Sequence, residues 1–125
     1  MKVILDASAL LAWLQDEPGA EVVEAEVARA GISSLNWSEV LQKSLTHGVD
    51  VSGLRTDLEA LGLTILPFTA ENAELAARLW TPGSGLSLAD RACLALGIQH
   101  NMPVWTADRL WARIQTGATV QVIRP

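Results

Sequence analysis

The sequence contains no tyrosine, one phenylalanine, one cysteine and two histidines among 125 residues. A lone Cys93 excludes a disulfide within the chain and fits a reducing compartment. With His47 and His100 as the only histidines, no zinc-ligand spacing exists, and both read as structural or surface groups. Lysine is scarce too, limited to Lys2 and Lys43. The net charge of −5 argues against a broad basic face for nucleic acid. Long apolar runs are missing: the longest, Ala9 to Leu14, falls far short of the ~20 residues of a membrane span. The opening Met1-Lys2-Val3-Ile4-Leu5-Asp6 reaches an acid before a signal-peptide core can form, so a cytoplasmic protein is expected.

What is present points to one folded domain, residues 1–125. Half of the residues are hydrophobic, which opposes disorder. Short β-rich runs alternate with longer helical stretches. Strands are predicted at Lys2–Leu5, Gly31–Ser33, Leu63–Pro67, Pro103–Thr106 and Val120–Ile123. Helices are predicted at Ser8–Leu14, Gly19–Ala30, Asn36–His47, Ser52–Leu61, Thr69–Trp80, Ser87–Gln99 and Ala107–Ile114. The Thr81–Gly85 stretch is the clearest loop. Such alternation implies an α/β fold, a parallel sheet covered on both faces. Strand C-termini and helix N-termini then share one edge, where ligands of open α/β sheets bind.

Four acids fall at that edge. Asp6 follows the first strand and Asp108 lies just beyond the fourth. Glu39 and Asp90 each sit three residues after a predicted cap, Asn36 and Ser87. Each acid has an ordinary reading. Asn36-x-x-Glu39 and Ser87-x-x-Asp90 resemble capping boxes, Asp6 a turn former, and Asp108 a helix N-terminal acid. Convergence on one edge favours a shared role. Two carboxylates ~4 Å apart repel by about 4 kcal/mol at an effective dielectric near 20. A helix N-terminus returns only about 0.3–1 kcal/mol. A tight cluster is therefore expected to need a cation, and all-oxygen ligands select Mg²⁺ or Mn²⁺. Such an ion also reverses the local field in an acidic chain.

Val3-Ile4-Leu5-Asp6-Ala7-Ser8-Ala9-Leu10 resembles the opening of PIN-domain nucleases. Ser38-Glu39-Val40-Leu41, Leu86-Ser87-Leu88-Ala89-Asp90 and Val104-Trp105-Thr106-Ala107-Asp108 resemble that family's later motifs. Length and motif order are similar to the VapC-type toxins of toxin–antitoxin pairs. The resemblance spans essentially the whole chain. It implies a PIN-like three-layer sandwich with sheet order 3-2-1-4-5, and an RNA endonuclease dependent on Mg²⁺ or Mn²⁺. It also implies products with 5′-phosphate and 3′-hydroxyl ends, a homodimer and a neutralising antitoxin. The family's acids carry over onto Asp6, Glu39, Asp90 and Asp108, with Asp6 and Asp90 expected as direct ligands. Ser8 and Thr106 match its hydroxyl positions and are expected to support ligands or phosphate, or simply to cap helices.

For the RNA grip the candidates are Arg109 and Arg113, spaced i,i+4 beside Asp108, together with Arg91 and Lys43. Among the tryptophans, Trp13 and Trp111 are expected to be the most exposed. The all-apolar segment Ala9–Leu14 is expected to present a second side to an antitoxin or a dimer mate. A phospho-receiver domain needs a lysine late in the chain, which is absent. An aspartyl phosphatase needs an acid two residues after Asp6, where Ser8 stands. The remaining rival is a catalytically silent module that keeps the fold to bind protein or RNA.

Overall fold

The computed structural model describes residues 1–125. Five short strands form one sheet: β1 (Val3–Leu5), β2 (Ala30–Ser33), β3 (Thr64–Leu66), β4 (Val104–Thr106) and β5 (Val120–Val122). All pairings are parallel and the order is β3-β2-β1-β4-β5, as the resemblance implied. Parallel neighbours need crossovers, and helices supply them. These are α1 (Ala7–Leu14), α2 (Ala20–Glu26), α3 (Ser34–Thr46), α4 (Leu54–Leu61), α5 (Ala70–Arg78) and α6 (Leu88–His100).

The two faces follow from the strand period of two. Val3, Leu5, Ile32 and Trp105 face one way, into a core closed by Leu10 of α1, Val23 of α2, Val40 of α3 and Leu58 of α4. Ile4 and Val104 face the other way, against Cys93, Leu94 and Leu96 of α6. Outside α6 lies α5, held by Asn72, whose buried amide donates to the Ala92 carbonyl and Gln99 Oε1. Close approach of α6 to β4 needs Gly97, because a Cβ there would collide with Val104 Cγ2.

Several boundaries differ from the sequence reading. Helix α3 begins at Ser34, and its cap is Ser33, whose Oγ accepts from Leu35 N at 3.2 Å. The chain passes from strand to helix without a loop, so Asn36 lies inside the helix and is 1% exposed. Ala30 belongs to β2, separated from α2 by a 3-10 turn at Val27–Arg29. Helix α4 starts only after Gly53, which takes φ +78°. The predicted Ala107–Ile114 helix is a 3-10 helix over Arg109–Arg113. That tighter turn buries Trp111, at 3% exposure, against Ile4, Leu94 and their neighbours. Trp13 is half-buried, and the tryptophan most open to solvent is Trp80. Most apolar residues of α1 find cover within the chain, while Trp13 and Leu14 stay half-buried. Ala9, Leu10, Leu11 and Ala12 are buried, and α1 packs on α2 and α3 as well as the sheet. Exposed large apolar side chains lie elsewhere, among them Leu45, Trp80, Leu88 and Leu110. No helix is long and apolar enough to cross a membrane.

Candidate active site

Asp6 is the first residue past β1 and caps α1. Its Oδ1 accepts from Ala9 N at 2.8 Å and from Ser8 Oγ at 2.7 Å. Its Oδ2 accepts from Thr106 Oγ1 at 2.6 Å, across from the end of β4. The same two hydroxyls reach the other way: Ser8 Oγ accepts from Ala107 N at 2.9 Å and Thr106 Oγ1 from Asp108 N at 3.0 Å. Each hydroxyl has one proton and spends it on Asp6, so the 3.3 Å approach between Ser8 Oγ and Thr106 Oγ1 is a contact of two acceptors. Ser8 and Thr106 therefore lock the exit of β1 to the exit of β4. Both hydroxyls are thus engaged with Asp6 and with the backbone that follows β4.

Burial governs the charge of Asp6. Its carboxyl is pushed up to about 6, first by desolvation, against the three hydrogen bonds that favour the ionised form. The Asp90 charge adds the smallest contribution. At Asp6, repulsion from a neighbouring acid therefore counts for less than burial.

Two of the other acids also serve at helix caps. Asp90 closes a capping box: its Oδ2 accepts from Ser87 N at 3.0 Å while Ser87 Oγ accepts from Asp90 N at 3.1 Å. Asp108 caps the last 3-10 helix, its Oδ1 accepting from Leu110 N at 2.9 Å. Glu39 lies in the second turn of α3, where Asn36 Nδ2 donates to its Oε1 at 3.1 Å. Each of these three carboxylates engages one oxygen and leaves the other without a protein partner. Capping and clustering are therefore compatible.

All four acids line one cavity of about 150 Å³. Asn36, Ser8, Lys43 and Trp111 share its wall. Asn36 Oδ1 is buried there with no hydrogen-bond partner, a vacant acceptor in a wall of acids. The donor set is all oxygen and suits a hard cation. The acids are gathered without being closed: no three of them stand as a ready ligand set for one ion. The expectation that crowding alone would demand an ion is corrected accordingly.

The basic candidates separate clearly. Lys43 lines the acid cavity and makes no ion pair. Arg109 and Arg113 flank a neighbouring cavity of about 410 Å³ that also contains Asp108. Arg91 turns away, its Nη1 donating to the Ala76 carbonyl at the end of α5 at 2.9 Å. Asn36 and Trp111 entered the wall unforeseen. The i,i+3 spacing of Asn36 to Glu39 places them on one helix face, but burial of Trp111 rests on long-range packing.

An order of 3-2-1-4-5 with acids gathered at the C-terminal sheet edge defines a class, and the sequence agrees. The family model of the PIN domain matches residues 3–116, and the chain belongs to that family. Solved structures share the fold. A toxin–antitoxin complex from Klebsiella pneumoniae contains a chain with TM-score 0.74 and 21% identity, covering 98% of both chains. DNA-bound VapBC from Salmonella typhimurium gives TM-score 0.69 and 18% identity, also over 98% of both. FitAcB from Neisseria gonorrhoeae gives TM-score 0.69 and 20% identity over 97% of both. No curated protein matches the sequence significantly.

Proposed function

We propose that this chain is an endoribonuclease dependent on Mg²⁺ or Mn²⁺, and the toxin of a toxin–antitoxin pair. The observation that carries the reading is the shared cavity: Asp6, Glu39, Asp90 and Asp108, from four separate stretches of chain, line one space at the sheet edge. The Klebsiella and Salmonella structures, a toxin–antitoxin complex and a DNA-bound VapBC, support the toxin assignment by fold. The same likeness suggests a cognate antitoxin as a partner, and the family resemblance implies a homodimer.

Asp6, Glu39, Asp90 and Asp108 would hold the cation, directly or through water. Bound there, it supplies Lewis acidity at a phosphate oxygen and acidity to the attacking water. The chain's own contribution is positioning. Ser8 and Thr106 fix Asp6 between two strands, so this carboxylate cannot swing away. The capping bonds of Asp90 and Asp108 set their backbone positions and leave one oxygen of each to turn inward. Lys43, the one cation in the cavity wall, donates to a non-bridging phosphate oxygen and offsets charge there. The arrangement fits in-line attack of water on a phosphodiester.

The test is direct. Purified chain, free of partner, is incubated with a pool of structured RNAs in Mg²⁺ or Mn²⁺, then in chelator. Metal-dependent cleavage leaving 5′-phosphate and 3′-hydroxyl ends, lost in Asp90→Asn, is expected. The incomplete closure of the acids gives one observation to the rival, a PIN-fold module that only binds protein or RNA. RNA binding without cleavage in any metal would establish that rival.

A further inference from the structure

We infer that the cavity beside Asp108, flanked by Arg109 and Arg113, is a subsite for a backbone phosphate of a single-stranded nucleic acid, one nucleotide or so removed from the cut. The inference rests on the proposed nuclease reading and adds the element that an acidic chain most needs, a local grip.

The arginines of the fold are mostly committed. Arg29, Arg55 and Arg124 pair with Glu26, Glu59 and Glu17. Arg91 is engaged with the Ala76 carbonyl. Arg78, Arg109 and Arg113 make no ion pair, and two of these three stand in one cavity. Asp108 is their immediate neighbour, yet its Oδ1 is taken by Leu110 N and neither guanidinium bridges to it. Two uncommitted guanidiniums beside one carboxylate leave a local charge of +1 in a chain of net charge −5.

Position adds the second argument. Asp108 lines both this cavity and the acid cavity, so the two spaces adjoin. For a strand whose scissile phosphate meets the acids, the side past Asp108 opens directly onto this second cavity. The acid cavity, at about 150 Å³, is too small for a nucleotide, whereas the arginine cavity, at about 410 Å³, lies in the ~300–1,000 Å³ range of small-ligand sites. Arg presents a planar fork suited to phosphate oxygens. Leu110, 60% exposed between the two arginines, offers an apolar surface for a ribose or base. A phosphate there would be positioned, with no sequence read.

The experiment is a salt titration of binding. A fluorescein-labelled uridine decamer is titrated with full-length wild type and with Arg109→Gln/Arg113→Gln, in EDTA so that no cleavage intervenes. Loss of two phosphate contacts should flatten the slope of log K against log salt by about 1.4, and weaken binding at least tenfold at low salt. Arg109→Lys/Arg113→Lys keeps both charges and should retain the slope, which separates lost contacts from a folding defect. An unchanged slope in the Gln variant, or no measurable binding by wild type at low salt, overturns the inference. Poly-glutamate competing as well as the decamer overturns it too, in favour of an acidic protein ligand. Cleavage without the slope change would sink this subsite and spare the nuclease reading. The slope change without cleavage would do the reverse.

Discussion

The Thr106 hydroxyl donates to Asp6 Oδ2 at 2.6 Å while accepting from Asp108 N at 3.0 Å, and so joins two acids that are about a hundred residues apart in sequence. One side chain thereby opposes the effect of burial on Asp6 and holds the backbone on its course into the last acid. Thr106→Val keeps the shape and removes both bonds. It is expected to cost about 1–3 kcal/mol of stability, since it leaves a part-buried N–H and a buried carboxyl under-satisfied. It should also push the Asp6 carboxyl still higher, because that hydrogen bond is the largest influence holding it down. Chemical denaturation and the ¹³C carboxyl titration of Asp6 measure the two effects. Thr106→Ser, which restores the hydroxyl, should recover the titration.

Asp6 gives the metal-free chain a pH dependence with a definite sign. Its folded carboxyl titrates at about 6, against 3.8 for the ordinary group. The fold therefore favours the neutral form. Stability from this group is fully present below pH ~4 and is lost as pH rises through about 6. A displacement of about two units corresponds to about 3 kcal/mol at pH 8. Asp6→Asn should remove the dependence across this window and be more stable than wild type at pH 8 in EDTA. The excess should stay below about 3 kcal/mol, because the amide cannot accept from both sides as the carboxylate does. A variant less stable than wild type at pH 8 would show that the three hydrogen bonds outweigh burial.

Arg91 and Lys43 are expected to divide stability from chemistry. Arg91→Gln should cost about 1–2 kcal/mol by releasing the Ala76 carbonyl, with no change in the salt dependence of RNA binding. Lys43→Gln should leave stability within ~0.5 kcal/mol, as expected of an exposed surface residue. Its turnover at saturating RNA should fall about a hundredfold, as for removal of one transition-state donor. Denaturation curves and a kcat against KM comparison decide both points.

Gly97→Ala isolates the seat of α6. The added methyl meets Val104 Cγ2, and overpacking of this kind costs about 1–3 kcal/mol. The site lies at the opposite end of α6, at Asp90. Cleavage per folded molecule should therefore survive, while the melting temperature falls by several degrees. Loss of activity in a fully folded variant would mean that the whole helix shifts.

Local chemistry was readable where it acts locally. Ser87 caps its helix as predicted, and Thr69 caps the helix predicted to begin at it, because a hydroxyl three residues before a free N–H is a property of the chain itself. The four acids reached one edge because parallel topology sends every strand end there. Asn36 was misread as a cap because Ser33, three positions before it, does the same work directly from the strand. Burial of Trp111 could not be seen, since it depends on Ile4 and α6 filling the space beneath a 3-10 turn. The spacing between carboxylates was overdrawn for a related reason. Topology fixes which edge they share, while side-chain rotation fixes how far they converge.

Binding of Mn²⁺ tests the shared cavity most directly. Titration followed by electron paramagnetic resonance should show saturable binding to wild type, with Glu39→Gln, Asp90→Asn and Asp108→Asn each weakening it at least tenfold. Equal affinity in wild type and all three variants, or no saturable binding at millimolar ion, would contradict a common cation site.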